Sequence, residues 1–287
     1  ALILEATDLL AGQASSPASG LQGLKARREG PARGETITRG GDWVQTTAAD
    51  FEAGASQGIQ VTREGDGELC LAAGKMTGPS TVSEAASGRG VFTSTIGSAA
   101  FPFNAVAAHW SADVPPSTQL AVAVRTSPDG LAWSPWQDIV EVEQGQDGRP
   151  VPVGQDRCFY GGNLILTEGG RYLQYRLIFT STKLSTGSPE LSEITLTYID
   201  STAGPDLAEA KTAARREVLA LGVPQPPIIP RSGWGANESY MTWPPEYHPV
   251  HKIIVHHTVT QNYEPDPPST IRAIYYYHAV TLAWGDI

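Results

Sequence analysis

The run Arg171–Thr180, RYLQYRLIFT, constrains this chain more than any other stretch of its length. Leu173, Tyr175, Leu177 and Phe179 fall on one side of an extended backbone. A period of two places one face in a core and the other toward solvent, which is the pattern of an antiparallel sheet. Gln119–Thr126 (QLAVAVRT) and Glu193–Ile199 (EITLTYI) repeat the pattern, with Ile194, Leu196 and Tyr198 together in the second. Several such strands separated by turn signals predict a sandwich from about residue 42 to 200. Pro128-Asp129-Gly130 and Glu168-Gly169-Gly170 carry the residues tight turns need. The 30 glycines and 22 prolines agree with a turn-rich, all-β region.

On either side of that region the texture changes. Residues 1–41 are rich in Gly, Ala, Ser and Arg without apolar periodicity and read as a flexible leader. Asp206–Leu221 is Ala-rich, with acids early and bases late, and predicts a helix with Pro205 at its first position. Val223–Pro230 has four prolines in eight residues and predicts a semi-rigid linker. A second module then begins at about Ile228. Within it, Lys252–His256 is nearly all apolar, which suggests a central strand covered on both faces. Ser269 is placed to cap a helix in which Ile271, Ile274, Tyr275 and His278 share a face. Strand, loop and helix in that order predict the start of an α/β unit.

Charge excludes one class of partner. The formal net charge is −10 with no dense basic cluster, so nucleic acid is not expected to bind. No apolar run reaches the ~20 residues of a membrane span. Cys70 and Cys158 either form one disulfide or remain two free thiols.

Five of the six histidines lie between His248 and His278. Clustered imidazoles raise the prospect of metal, since neutral histidine is the commonest zinc ligand. His256 and His257 would point to opposite faces of an extended strand, so one ligand at the strand end is the simpler arrangement.

Four strings in this module, taken in order, resemble the type 2 N-acetylmuramoyl-L-alanine amidase and peptidoglycan-recognition protein family. They are Arg231-Ser-Gly-Trp-Gly-Ala236, Lys252-Ile-Ile-Val-His-His-Thr258, Ile271-Arg-Ala-Ile-Tyr-Tyr-Tyr-His278 and Trp284-Gly-Asp-Ile287. Ala283 stands where the last motif usually has glycine. The resemblance implies zinc-dependent hydrolysis of the amide between the lactyl group and L-alanine of peptidoglycan. It implies His256 as a zinc ligand and His257, Thr258 and His278 as contacts to the muramyl peptide. Arg231, Trp234, Trp284 and Asp286 would be mainly structural. The remaining ligands and catalytic residues would lie beyond Ile287, so residues 228–287 read as the incomplete start of an α/β amidase domain. An exported protein follows from such a substrate. The alternative is a non-catalytic peptidoglycan-recognition or carbohydrate-binding surface protein. In the sandwich region, Ser127-Pro-Asp-Gly-Leu-Ala-Trp133 resembles a hairpin of discoidin-like, galactose-binding-type sandwiches. An aromatic platform for sugars would there draw on Trp110, Trp133, Trp136 and Tyr160.

Overall fold

The computed structural model describes residues 3–5, 38–62, 66–72, 88–142, 151–152, 158–184, 187–214, 227–243, 249, 254–256, 258, 260 and 262–287. The chain divides into two compact units, one of Gly41–Tyr198 and one of Ala1–Gly40 with Ile199–Ile287.

The first unit is a sandwich built from antiparallel strands. After β1 (Ile3–Glu5), which belongs to the other unit, the strands are β2 (Arg39–Gln45), β3 (Ala55–Gln57), β4 (Ile59–Thr62), β5 (Glu68–Leu71), β6 (Gly88–Thr93) and β7 (Gly97–Asp113). Then come β8 (Thr118–Ser127), β9 (Gln137–Ile139), β10 (Glu141–Val142), β11 (Val151–Pro152), β12 (Cys158–Gly162), β13 (Ile165–Ser181) and β14 (Glu190–Asp200). A short helix α1 (Ala48–Glu52) is closed by a capping box between Thr47 and Asp50.

Two long strands connect the layers. The first part of β13 pairs with β7, Ile165 opposite Val106, and its later part pairs with β8 from Tyr172–Ser127 to Ser181–Thr118. The same later part pairs with β6 on its other side, Arg176 opposite Thr93. Farther along, β7 pairs with β12, and the path continues from β7 through β14 and β5 to β4.

Glu168-Gly169-Gly170 is therefore not the turn its composition suggested. It lies inside β13, where the register to β7 shifts. Gly169 has φ +147°, and a Cβ on Gly170 would lie 2.3 Å from the Phe103 ring. The paired glycines make an irregularity that redirects a continuous strand.

The alternation read from sequence is the core. Leu173, Tyr175, Leu177 and Phe179 are fully buried, as are Ile194 and Leu196. Tyr175 lies 5.9 Å from Phe92 and 5.8 Å from Trp43, ring centroid to ring centroid. In β14 the intervening Thr195 and Thr197 are buried as well, so both faces of that strand are covered. Thr197 meets the need of its hydroxyl by donating to Asp42 Oδ1 at 2.7 Å. Cys70 and Cys158 are both free thiols, the first buried and the second half-buried.

In the second unit, helix α2 runs Leu207–Thr212, with Asp206 rather than Pro205 at its boundary. The Asp206 carboxylate accepts from Glu209 N while Glu209 returns to Asp206 N, so a capping box sets the start one residue later. The rest of the predicted helix from 215 onward, and the linker up to 226, lie outside the described residues. Helix α3 (Pro267–Tyr276) begins earlier than Ser269. Its N-cap is Asp266, whose carboxylate accepts from Ser269 N, and Pro267 and Pro268 fill the first turn, where no N–H is needed.

Among the described residues the predicted α/β start is not shown. Strand β15 (Ile254–His256) pairs antiparallel with β1, His256 opposite Ile3, in a sheet of two strands. A central strand would have neighbours on both edges, and among the described residues β15 has one. Here the partner is a segment of the predicted leader.

Candidate functional site

The second unit brings three of the four motif strings together around Arg231. Its Nε donates to both carboxylate oxygens of Glu238 at 3.0 and 3.1 Å, and its Nη1 donates to Asp286 Oδ1 at 2.9 Å. Cζ lies 4.8 Å from the Tyr275 ring and 5.6 Å from the Trp234 ring. Burial acts to lower the guanidinium pKa, but the two carboxylates outweigh it and hold it above its ordinary value. Trp234 and Tyr275 meet edge to face at 5.8 Å.

Helix α3 is fastened through Arg272, which is 1% exposed. Its guanidinium donates to the carbonyls of Ser201, Pro205 and Trp234, all within 3.0 Å. Past Tyr276 the helix widens into a π-helical turn, Tyr277–Thr281, with Leu282 N donating to Tyr277 O.

His278 sits in that turn. Its ring lies 4.7 Å from Trp284 and 5.9 Å from Tyr277, and its carbonyl accepts from Trp284 N. Burial pushes its pKa down to about 4, so at neutral pH it is an uncharged imidazole. Thr258 shares a hydrogen bond of 2.7 Å with Thr260 through their hydroxyls. His256 ends β15, and only its backbone is described; His257 lies outside the described residues.

A zinc site needs three or four ligands converging on one point. Among the described residues, no three of His, Cys, Asp and Glu gather in that way. The side chain of His256, and His248, His251 and His257, lie outside the described residues.

The sandwich carries a different cluster. Ser127–Trp136 forms the loop of the β8–β9 hairpin, in which Val124 pairs with Gln137. Asp129 Oδ1 accepts from Leu131 N and Ala132 N, both at 2.8 Å, and Ser127 Oγ accepts from Gly130 N. These bonds hold the Asp129 carboxyl below its usual range. The loop aims two indoles back over the sheet. Arg125 Cζ lies 4.7 Å from the Trp133 ring and 4.6 Å from Trp136, and Arg176 Cζ lies 4.1 Å from Trp136. Arg125 also donates through Nε and Nη2 to Gln174 Oε1.

A four-ring aromatic platform does not form. Trp110 is a core residue, 4% exposed and stacked on Tyr160 at 5.8 Å, while Trp133 and Trp136 each have guanidinium against a face. Sequence reasoning passed over Arg125 and Arg176. The available signal was their outward position in alternating strands, QLAVAVRT and RYLQYRLIFT.

By sequence, residues 42–152 match the family described as the Peptidase C39 N-terminal domain. This finding corrects the resemblance to the type 2 amidase and peptidoglycan-recognition family drawn from residues 228–287. It also corrects the discoidin-like comparison, since Ser127–Trp133 lies inside the matched segment. The physical reason lies in Arg231, Trp234 and Asp286. They staple one small unit together, so such strings carry packing as readily as chemistry. Among curated proteins none matches the chain. Two solved structures are weakly similar. One is the enzymatically active domain of tailspike protein 4 of bacteriophage CBA120, at 12% identity and TM-score 0.26, over 58% of this chain and 20% of that one. The other is the module CBM32-3 of a family 31 glycoside hydrolase from Clostridium perfringens, at 12% identity and TM-score 0.22, over 52% and 97%. This chain thus spans a fifth of the tailspike domain. TM-scores this low carry no argument. Among the described residues, no helix is long and apolar enough to cross a membrane.

Proposed function

We propose that Gly41–Tyr198 is a non-catalytic sandwich that holds its protein on a polymeric substrate for a zinc-dependent hydrolase of amide bonds. The observation that carries this reading is the family match. Residues 42–152 fall wholly within the first compact unit, and the matching family is by its description the N-terminal domain of a peptidase. A peptidase breaks amide bonds, and a separate sandwich ahead of such a module raises the local concentration of substrate. The polymer proposed is peptidoglycan, and His256 is the residue proposed to ligate zinc. A location outside the cell membrane follows from that substrate.

The test is sedimentation of the whole chain with purified peptidoglycan sacculi. Retention in the pellet is expected, and it should persist in EDTA, because the sandwich rather than the metal does the holding. A chain that stays in the supernatant overturns the reading. So does retention that EDTA abolishes.

A further inference from the structure

Arg176 carries its guanidinium beside the Trp136 ring. Among the described residues it makes no ion pair or hydrogen bond, and its Nε is enclosed and unbonded. The ion pairs of the described residues engage other arginines, Arg39 with Asp200 and Arg231 with Glu238 and Asp286. Arg176 projects from β13, opposite Thr93 of β6 and Ala123 of β8. Trp136 covers one face of it, and it lines a groove of about 280 Å³ together with Ser56, Gln57 and Thr93. Among the described residues, no acidic residue lines that groove. Arg125 adds a second guanidinium against the same indole, and its partner is the neutral amide of Gln174.

An anion would offset the repulsion between these two guanidiniums. Two like charges share one ring, in a chain with 30 acidic residues and a net charge of −10. The nearest acid in register is Asp138, opposite Ala123 and so two strands from Arg176. Two strand spacings separate the two backbones by roughly 9–10 Å, and among the described residues no ion pair joins the side chains. The Trp136 ring lies against the Arg176 guanidinium, Cζ 4.1 Å from its centroid, and the two Nη atoms form the outer fork. That planar fork matches the two oxygens of a carboxylate. Ser56, Gln57 and Thr93 bring neutral hydrogen-bonding groups to the same groove.

We propose that the groove between β3, β6 and β13 binds the carboxylate of an acidic peptide, with Arg176 gripping it and Arg125 adding a second positive charge. The proposal does not depend on the peptidoglycan reading, since any peptide carboxylate of suitable shape would serve.

Calorimetric titration of the whole chain with three capped peptides tests it. Acetyl-triglutamate amide offers only side-chain carboxylates. Acetyl-triglutamine with a free C-terminus offers only the terminal one, and acetyl-triglutamine amide offers none. At least one of the first two should bind, the third should not, and the difference between the first two identifies the source of the carboxylate. Binding should weaken as salt rises. Arg176→Gln should lose tenfold or more in affinity, and Arg176→Lys, which keeps the charge but not the fork, should fall between. Circular dichroism confirms that both variants are folded. Failure of all three peptides at millimolar concentration overturns the proposal, as does equal binding of the uncharged peptide or full binding by Arg176→Gln.

Discussion

Arg231 Nη1 donates to Asp286 Oδ1 at 2.9 Å, joining residues 55 positions apart in the second unit. Both side chains are partly exposed, at 34% and 27%, so solvent screens the pair. Asp286→Asn should lower stability by about 1 kcal/mol. Arg231→Met should cost more, because Glu238 also loses its partner. A double-mutant cycle by urea unfolding should show a coupling of about 0.5–1 kcal/mol. Strict additivity would mean that the contact stabilises nothing.

Tyr175 is fully buried and its hydroxyl donates to Gln45 Oε1. Burial holds its pKa far above the ordinary tyrosine value, so it is a neutral donor at every working pH. Tyr175→Phe should cost about 1–3 kcal/mol, because the 4%-exposed Gln45 is left unsatisfied. Gln45→Leu combined with Tyr175→Phe should cost less than the sum of the two single changes. Chemical denaturation of the four proteins checks this, and a cost equal to the sum would refute it.

The sandwich was legible because Leu173, Tyr175, Leu177 and Phe179 obey a period of two that local packing enforces. Helix α3 was legible for the matching reason, since Ile274 and Tyr275 are buried on the face that also holds Ile271 and His278. What failed involved partners distant in sequence. Gly169 and Gly170 look like a turn until Phe103 of another strand is placed against them. β15 looks central until Ile3 is found opposite His256. The Arg125–Trp136–Arg176 cluster spans two strands and a loop, and its components read separately as solvated charges and core aromatics. The histidine cluster was visible, but clustering along the chain did not translate into convergence in space among the described residues.

Arg272 carries a buried charge whose hydrogen bonds go to main-chain oxygens, those of Ser201, Pro205 and Trp234. Its burial lowers the guanidinium pKa, with Asp266 opposing that effect. Arg272→Leu leaves those three carbonyls without this donor and should destabilise the second unit by about 3–5 kcal/mol. Arg272→Lys should recover only part, since one ammonium cannot reproduce the planar fork. Hydrogen exchange at α3 amides is the readout. Unchanged protection in Arg272→Leu would show that the network is dispensable.

His109 of β7 gives the sandwich a pH dependence. Its Nδ1 is enclosed without a partner, and its ring lies 5.4 Å from Phe159, although part of the residue reaches solvent. Burial pushes its pKa down to about 4, and Asp42 offsets this only in part. The unfolded value is 6.5, so between those limits the unfolded chain binds more protons than the folded one. Stability is therefore complete above pH 6.5 and falls as pH drops toward 4, by on the order of 2–3 kcal/mol. His109→Phe removes the titrating group while keeping an aromatic ring beside Phe159. It should flatten this portion of the stability curve and raise stability at pH 4.5 relative to the parent. Urea midpoints measured from pH 7.5 to 4 decide the matter, and a variant whose slope equals the parent's would show that His109 is not the group responsible.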